Sequence, residues 1–181
     1  GEYDLGIAFD GDGDRILIVS KSGKVLDGDD LLYLLTTKNS SDSKNFGEEG
    51  VVGTLMTNKA LENYFKDSNI NFIRTDVGDK YVLDELLNRG WLIGGEPSGH
   101  IICRDLVSTG DGTIAALKVI SSLLMLEKEP ADILRNYTKM PQININVDVQ
   151  NKDILSDATI QRSIKEIESD LTVGRVLVRP S

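Results

Sequence analysis

The sequence predicts an α/β fold: a mixed, mainly parallel sheet layered with helices, flanked by parts of neighbouring domains. Three observations carry this expectation. Short apolar strand patterns alternate with helical patterns between residues 51 and 127. Glycine-rich or polar turns separate them, which is how βαβ units read in one dimension. Beyond Pro141 the pattern changes, so that a second unit begins there.

Taken in order, Leu5-Gly6-Ile7-Ala8-Phe9 reads as a short buried strand and Ile16-Leu17-Ile18-Val19 as another, with a Gly/Asp loop between them. Ser22-Gly23 turns the chain into Lys24-Val25-Leu26. Leu31, Leu34 and Leu35 then recur at helical spacing behind Asp29 and Asp30, acids that suit a helix N-terminus. The polar stretch Lys38 to Ser43 ends that helix. Val51 to Leu55 is the next strand. Lys59 to Lys66 is a helix with Leu61, Tyr64 and Phe65 inward, and Asn71 to Arg74 a further strand. Tyr81 to Leu87 reads as a short helix and Trp91-Leu92-Ile93 as a strand running into glycines. Thr109 to Glu127 is a long helix with Ile114, Leu117, Ile120 and Leu124 on one face. Pro130 and Pro141 bracket another short helix. After Pro141, Ile143, Ile145 and Val147 alternate with polar residues, a helix spans Thr159 to Glu168, and Val176-Leu177-Val178 starts a strand. Tyr81 and Trp91, each beside apolar neighbours, are expected to be packing residues and not a stacking platform.

Composition narrows the function classes. The 181 residues are 40% hydrophobic, enough for a core, and carry a net charge of −9. That field repels polyanions and disfavours nucleic acid or anionic membrane as partner. The longest apolar run, Ile114 to Leu126, is broken by Lys118, Ser121 and Ser122 and falls short of the roughly 20 residues a membrane span needs. Cys103 is the only cysteine, which excludes an intrachain disulfide; with no leader pattern the cytoplasm is the expected compartment. The chain opens without Met and closes at Arg179-Pro180-Ser181, as expected of an excised segment.

Two segments carry chemistry. In Asp10-Gly11-Asp12-Gly13-Asp14-Arg15, three carboxylates alternate with glycines that let the backbone curl, so all three can face one point. Their mutual repulsion is relieved by a hard, oxygen-seeking divalent cation such as Mg²⁺. An Asp-Gly turn in solvent is the plain alternative. An EF-hand is excluded by counting: with Asp10 first, Arg15 falls where the loop glycine belongs and Lys21 where the glutamate belongs. Zinc is disfavoured because no Cys or His lies nearby in the sequence. The second segment, Gly94-Gly95-Glu96-Pro97-Ser98-Gly99-His100, follows a strand and holds the only histidine. Glu96 can accept from two adjacent hydroxyls, Ser98 can donate and accept, and the glycines admit a ligand to the backbone. A turn with a solvated histidine is the alternative. The position at a strand's carboxyl end, where α/β sheets place ligands, favours a site.

These two segments together resemble the α-D-phosphohexomutase superfamily, whose metal loop reads Asp-Gly-Asp-Gly-Asp-Arg and whose sugar loop reads Gly-Glu-x-Ser-Gly-His. Both match in full and in the family's order. Thr75-Asp76-Val77-Gly78-Asp79-Lys80-Tyr81-Val82 is similar to the corresponding segment of the phosphoglucosamine mutase branch, with Lys80 in place of the commoner arginine, and Ser108-Thr109-Gly110-Asp111-Gly112 to that branch's entry into a long helix.

The resemblance implies four domains around one cleft. Residues 1–22 would be the closing hairpin of a metal-binding domain, 23–140 a sugar-binding α/β domain (the third), and 141–181 the start of a phosphate-binding domain. It implies Mg²⁺ on Asp10, Asp12 and Asp14, with Arg15 either a cation beside the transferred phosphoryl group or an ion-pair partner of the loop. Glu96 and Ser98 would hold sugar hydroxyls, with His100 a polar contact or proton carrier. Asp79 and Lys80 would touch the sugar or its amino group, or else be a helix cap and a surface lysine. Arg179 and Ser181 would open the substrate-phosphate loop. The phosphorylated serine has no counterpart here, so the partners implied are a phosphosugar and the missing domains of the same polypeptide, and exposed edges would favour homo-oligomers. Two other readings stay open: a phosphoglucomutase/phosphomannomutase, and a non-catalytic, divalent-ion-dependent sugar-binding module.

Overall fold

The structure, a computed structural model, describes residues 3–39, 49–172 and 174–179. It divides into two compact units, residues 1–140 and 141–181.

In the first unit, β1 (Leu5–Phe9) pairs antiparallel with β2 (Ile16–Ser20), which pairs antiparallel with β3 (Val25–Leu26). The sheet therefore runs across the boundary expected at residue 22. Ile16, Ile18 and Leu26 point into the core. The expectation that β1 is buried is corrected: it is an edge strand paired only with β2 among the described residues, and Ile7 and Phe9 are 37% and 47% exposed.

Helix α1 (Gly28–Asn39) is closed at its start by a reciprocal cap. Asp27 Oδ1 accepts from the N–H groups of Asp29 and Asp30 at 3.1 and 3.2 Å, while Asp30 Oδ2 accepts from the Asp27 N–H at 3.1 Å. Leu31 to Leu35 are all buried, so α1 forms the middle of the core. From residue 40 the polar loop expected after this helix lies outside the described residues.

The main sheet has the order β5-β4-β6-β7. Strand β4 (Gly50–Thr54) lies parallel to β5 (Asn71–Thr75) and to β6 (Ile93–Gly95); β7 (Ile101–Cys103) closes the edge antiparallel to β6. Between the parallel strands run α2 (Lys59–Asp67), capped by Asn58, and α3 (Asp79–Arg89), ended by Gly90 in the left-handed region at φ 73°. Alternate strand residues feed two cores. Val51, Ile93, Ile101 and Cys103 join α1, α2 and α4 (Gly112–Leu126) on one face, and Val52 and Ile102 join Val82 and Leu86 of α3 on the other. Period-two alternation on a sheet covered on both sides thus yields three layers.

Four expectations change here. Strand β6 starts at Ile93 and not Trp91, because the Trp91 N–H is committed to Leu86 O at the end of α3. Strand β7, three residues long, was not foreseen. Trp91 is buried as expected, but Tyr81 is 49% exposed and is no core residue. Helix α4 begins at Gly112, where Asp111 caps it through Ile114 N–H at 3.0 Å, and its buried face is Ala115, Ala116, Val119 and Leu123. Of the expected face, Leu117 and Leu124 are turned out, 58% and 72% exposed, while Ile120 is half-buried and Ile114, also half-buried, packs against the core. Close packing of α4 on α1 and β2 selects the small side chains over the large ones.

The unit ends in α5 (Pro130–Ile133) and a 3-10 turn over Leu134–Asn136. The second unit holds a 3-10 turn, Lys152–Ser156, and α6 (Ala158–Asp170), capped by Asp157 through the N–H groups of Thr159 and Ile160 at 2.8 and 3.2 Å. The strands expected at 143–147 and 176–178 do not form. Ile143, Ile145 and Val147 are 82%, 76% and 73% exposed, and no described segment pairs with them. No helix among the described residues is long and apolar enough to cross a membrane.

Candidate metal and sugar site

The hairpin β1–β2 presents the aspartate loop at its tip. Gly13 turns the chain at φ 76°, and the loop closes on itself where Arg15 N–H donates to Asp10 Oδ1 at 3.2 Å. One carboxylate oxygen each from Asp10, Asp12 and Asp14 lies within 4.8 Å of the others. The donor set is all oxygen, and Asp14 Oδ1 is buried without a hydrogen-bond partner. Both fit a hard divalent cation.

The acids also shift in opposite directions. For Asp10, burial pulls upward, but the Arg15 N–H, a hydrogen bond shared with Asp14 and the Arg15 guanidinium outweigh it and hold the carboxyl below its ordinary value. Burial, the same shared bond and the neighbouring charges of Asp10 and Asp12 push Asp14 up, against the opposing influence of His100. The mutual repulsion of carboxylates this close is what a bound cation relieves. Arg15 is exposed, with Nε 3.2 Å from Asp10 and 3.7 Å from Asp14.

The second loop is the turn of the β6–β7 hairpin. Glu96 N–H donates to His100 O and Gly99 N–H to Glu96 O, each at 3.0 Å. Glu96 Oε1 accepts from the Gly78 N–H at 3.0 Å, so this carboxylate is aimed by the loop between β5 and α3. Ser98 is exposed at the turn. Asp79 and Lys80, also exposed, open α3 directly beside Gly78. Gly78, not Asp79, is the cap residue of that helix, and Asp79 lies in its first turn, where a carboxylate favours the helix dipole. These residues stand past the carboxyl ends of β5 and β6, the edge at which parallel sheets gather ligands.

The two loops touch. Arg15 and His100 form a β-bridge, Ile16 N–H donates to Gly99 O at 3.1 Å, and His100 Nδ1 lies 3.1 Å from Asp14 Oδ2. A side chain at Gly99 would overlap Ile16 O, so the contact requires glycine there. His100 is only 5% exposed, and its Nε2 is buried without a partner. The start of α4 braces the other side: Gly112 N–H donates to Gly13 O at 2.9 Å.

Of the residues predicted from sequence, Asp10, Asp12, Asp14, Arg15, Glu96 and His100 are thus brought into one neighbourhood, with Asp79 and Lys80 linked to it through Gly78. Arg179 is exposed in the second unit, and Ser181 lies outside the described residues. Sequence reading passed over Gly99, Gly110 and Gly112 as contact residues. Their signal was the density of glycine around Glu96 and Asp111, which composition alone does not assign to a partner.

Fold and site define a three-layer α/β domain that joins an acidic, divalent-ion-type loop to a hydroxyl-accepting loop at the carboxyl edge of a parallel sheet. The chain belongs to the phosphoglucomutase/phosphomannomutase family: the model of that family's α/β/α domain III matches residues 27–140. It is 46% identical over 181 residues to a phosphoglucosamine mutase of Neisseria subflava and 46% identical over 180 residues to that of Polynucleobacter asymbioticus. These alignments cover 99% and 98% of this chain and 40% of each relative, so the chain spans about 40% of the length of the curated relatives it matches. The fold is shared with Aspergillus fumigatus N-acetylphosphoglucosamine mutase, solved in complex with GlcNAc-6P and magnesium, at TM-score 0.78 and 21% identity over 92% of this chain and 44% of that one.

Proposed function

We propose that this chain is the metal-binding and sugar-reading part of a magnesium-dependent phosphoglucosamine mutase, an intramolecular phosphotransferase that interconverts glucosamine 6-phosphate and glucosamine 1-phosphate. The observation that carries the reading is the direct junction of the aspartate loop with the Glu96–His100 loop, through His100 and Asp14 at 3.1 Å. The 46% identity to phosphoglucosamine mutases over nearly the whole chain supports the amino-sugar assignment.

In this reading residues 1–22 close a metal-binding domain, 23–140 form the sugar-binding domain, and 141–181 begin a phosphate-binding domain. Asp10, Asp12 and Asp14 would hold Mg²⁺, which when bound supplies charge neutralisation during phosphoryl transfer. The chain's own residues position the substrate. The Gly78 N–H fixes Glu96 Oε1, leaving Oε2 to accept from a sugar hydroxyl. Ser98 pairs with an adjacent hydroxyl, and Asp79 and Lys80 meet the sugar or its amino group. Arg15 lends a fixed cation at the rim of the acidic loop. Arg179 and Ser181 open the loop that takes the substrate phosphate. The phosphoserine that exchanges phosphoryl groups with the sugar, by way of a bisphosphate, comes from domains outside these 181 residues, so the chain alone turns nothing over. The enzyme acts in the cytoplasm, in amino-sugar metabolism.

The test is a specificity comparison on the intact polypeptide. Glucosamine 6-phosphate is expected to give a higher kcat/KM than glucose 6-phosphate or mannose 6-phosphate. The reverse order would move the protein to the phosphoglucomutase/phosphomannomutase branch. Loss of Mg²⁺ binding in Asp12→Asn checks the metal loop independently.

A further inference from the structure

The first turn of α1 lies directly against the turn of the β6–β7 hairpin. Gly28 opens the helix, where backbone N–H groups have no partner within the helix itself, and its N–H donates instead to Pro97 O at 3.2 Å. The approach leaves no room for a side chain. A Cβ at Gly28 would fall 1.8 Å from Glu96 O and 3.0 Å from the Gly99 nitrogen, main-chain atoms that cannot turn aside. Gly28 is buried and is not in the left-handed region, so glycine is required there for space and not for its φ.

The shape of the hairpin turn determines what this contact holds. Gly99 N–H donates to Glu96 O at 3.0 Å, so residues 96–99 form a β-turn with Pro97 and Ser98 at its centre. Turn types differ chiefly in the orientation of the central peptide, here the one that joins Pro97 to Ser98. Its carbonyl oxygen is the atom that Gly28 binds. The bond therefore sets the plane from which the Ser98 side chain leaves. Gly28 is itself fixed from both sides: Asp27 and Asp30 are paired with Lys139, and Asp29 Oδ2 accepts from the Asn58 N–H at 2.8 Å. Two segments remote in sequence thus hold one turn of helix against the loop.

We infer that Gly28 is a positioning residue for sugar recognition: its N–H orients the Pro97–Ser98 peptide, and its lack of a side chain seats the start of α1 against Glu96 and Gly99. This rests on the reading of Glu96 and Ser98 as hydroxyl-binding residues and deepens it, since Gly28 acts only through them.

The experiment uses the intact polypeptide with glucosamine 6-phosphate at saturating Mg²⁺. Gly28→Ala pushes the turn outward and is expected to lower kcat/KM about 100-fold, the typical cost of displacing a substrate-holding group by roughly 1 Å. Mg²⁺ affinity by titration calorimetry should be unchanged. Ser98→Ala alone should cost about 3- to 10-fold, the worth of one hydrogen bond. In the Gly28→Ala background Ser98→Ala should cost almost nothing more, because the displaced hydroxyl no longer meets the sugar. Unchanged kcat/KM in Gly28→Ala overturns the inference. So does a full, independent Ser98 loss in that background, or a matching fall in Mg²⁺ affinity, the mark of a general distortion. Should Gly28→Ala not fold, the wild type supplies the test: the Gly28 amide is expected to exchange with solvent only as slowly as the helix interior, and rapid exchange, as at a free helix end, overturns the bond to Pro97. Ser98→Ala separates the two levels. If it leaves kcat/KM intact, the sugar-reading assignment of Ser98 fails; if it lowers kcat/KM while Gly28→Ala does not, only the positioning role fails.

Discussion

Replacing Asp29 by Asn tests the electrostatics at the N-terminus of α1. Asp29 is 2% exposed; its Oδ2 accepts from the Asn58 N–H at 2.8 Å, and its Oδ1 is buried without a partner. Asp27 and Asp30 flank it, both paired with Lys139, and the Tyr137 hydroxyl is buried nearby. Burial is the main force pushing the carboxyl up to about 7; the charges of Asp27 and Asp30 add to it, while the Asn58 N–H and Lys139 oppose it. In the unfolded chain Asp29 ionises near 3.8. Below that value the group is neutral in both states and its contribution to stability is greatest. Between about pH 4 and 7 the unfolded state loses the proton that the folded state retains, so stability falls as pH rises. The shift of roughly three units, at 1.36 kcal/mol per unit, puts the total on the order of 4 kcal/mol, complete above pH 7. Asn keeps an acceptor for the Asn58 N–H and does not titrate. Urea denaturation of wild type and Asp29→Asn, followed by circular dichroism from pH 4 to 9, should give similar stabilities at pH 4. The variant's advantage should then grow with pH, reaching about 2–4 kcal/mol by pH 8. A stability difference that does not change between pH 5 and 8 would refute the burial argument.

Two further outcomes follow from buried groups elsewhere in the first unit. Arg74, with a side chain 14% exposed, donates from Nε and Nη2 to Glu62 Oε2 at 3.0 and 2.7 Å, and from Nη1 to Thr54 O and Thr57 O at 2.8 and 2.7 Å. Arg74→Met removes these four hydrogen bonds and leaves Glu62 Oε2 without its guanidinium partner, and should cost about 2–4 kcal/mol in chemical denaturation; a loss under about 1 kcal/mol would show that the pairs are dispensable. Cys103 is 1% exposed, and burial pushes its thiol up to about 11 despite the opposing charge of Lys118. A disulfide reagent at pH 7.5 should therefore modify it only as fast as the protein opens, and rapid stoichiometric labelling of the native chain would contradict the structure.

The class of fold, most of the element order and both loops of the candidate site were legible in the residues alone. Each of these is a local matter. Alternating βα patterns report burial on a sheet covered on two faces, and three aspartates spaced by glycines report a convergence that needs no distant partner. The buried positions Leu61 and Phe65 were equally legible, because a short amphipathic helix exposes its period directly.

Tertiary structure decided what depends on residues far apart in the chain. Lys139 reaches Asp27 across 112 positions, and only folding shows that this pair and Asp30 surround a buried Asp29. The face of α4 was misread because hydrophobicity favours Leu117 and Leu124, while close approach to α1 and β2 favours Ala115, Ala116 and Val119. The strands expected beyond Pro141 lacked a described partner, and alternation makes a strand only where a neighbour takes its hydrogen bonds. His100 shows the division most sharply. Its position in a glycine-rich loop marked a candidate site, but that its ring would lie between Gly110 on one side and the Asp14 carboxylate on the other was set only by folding.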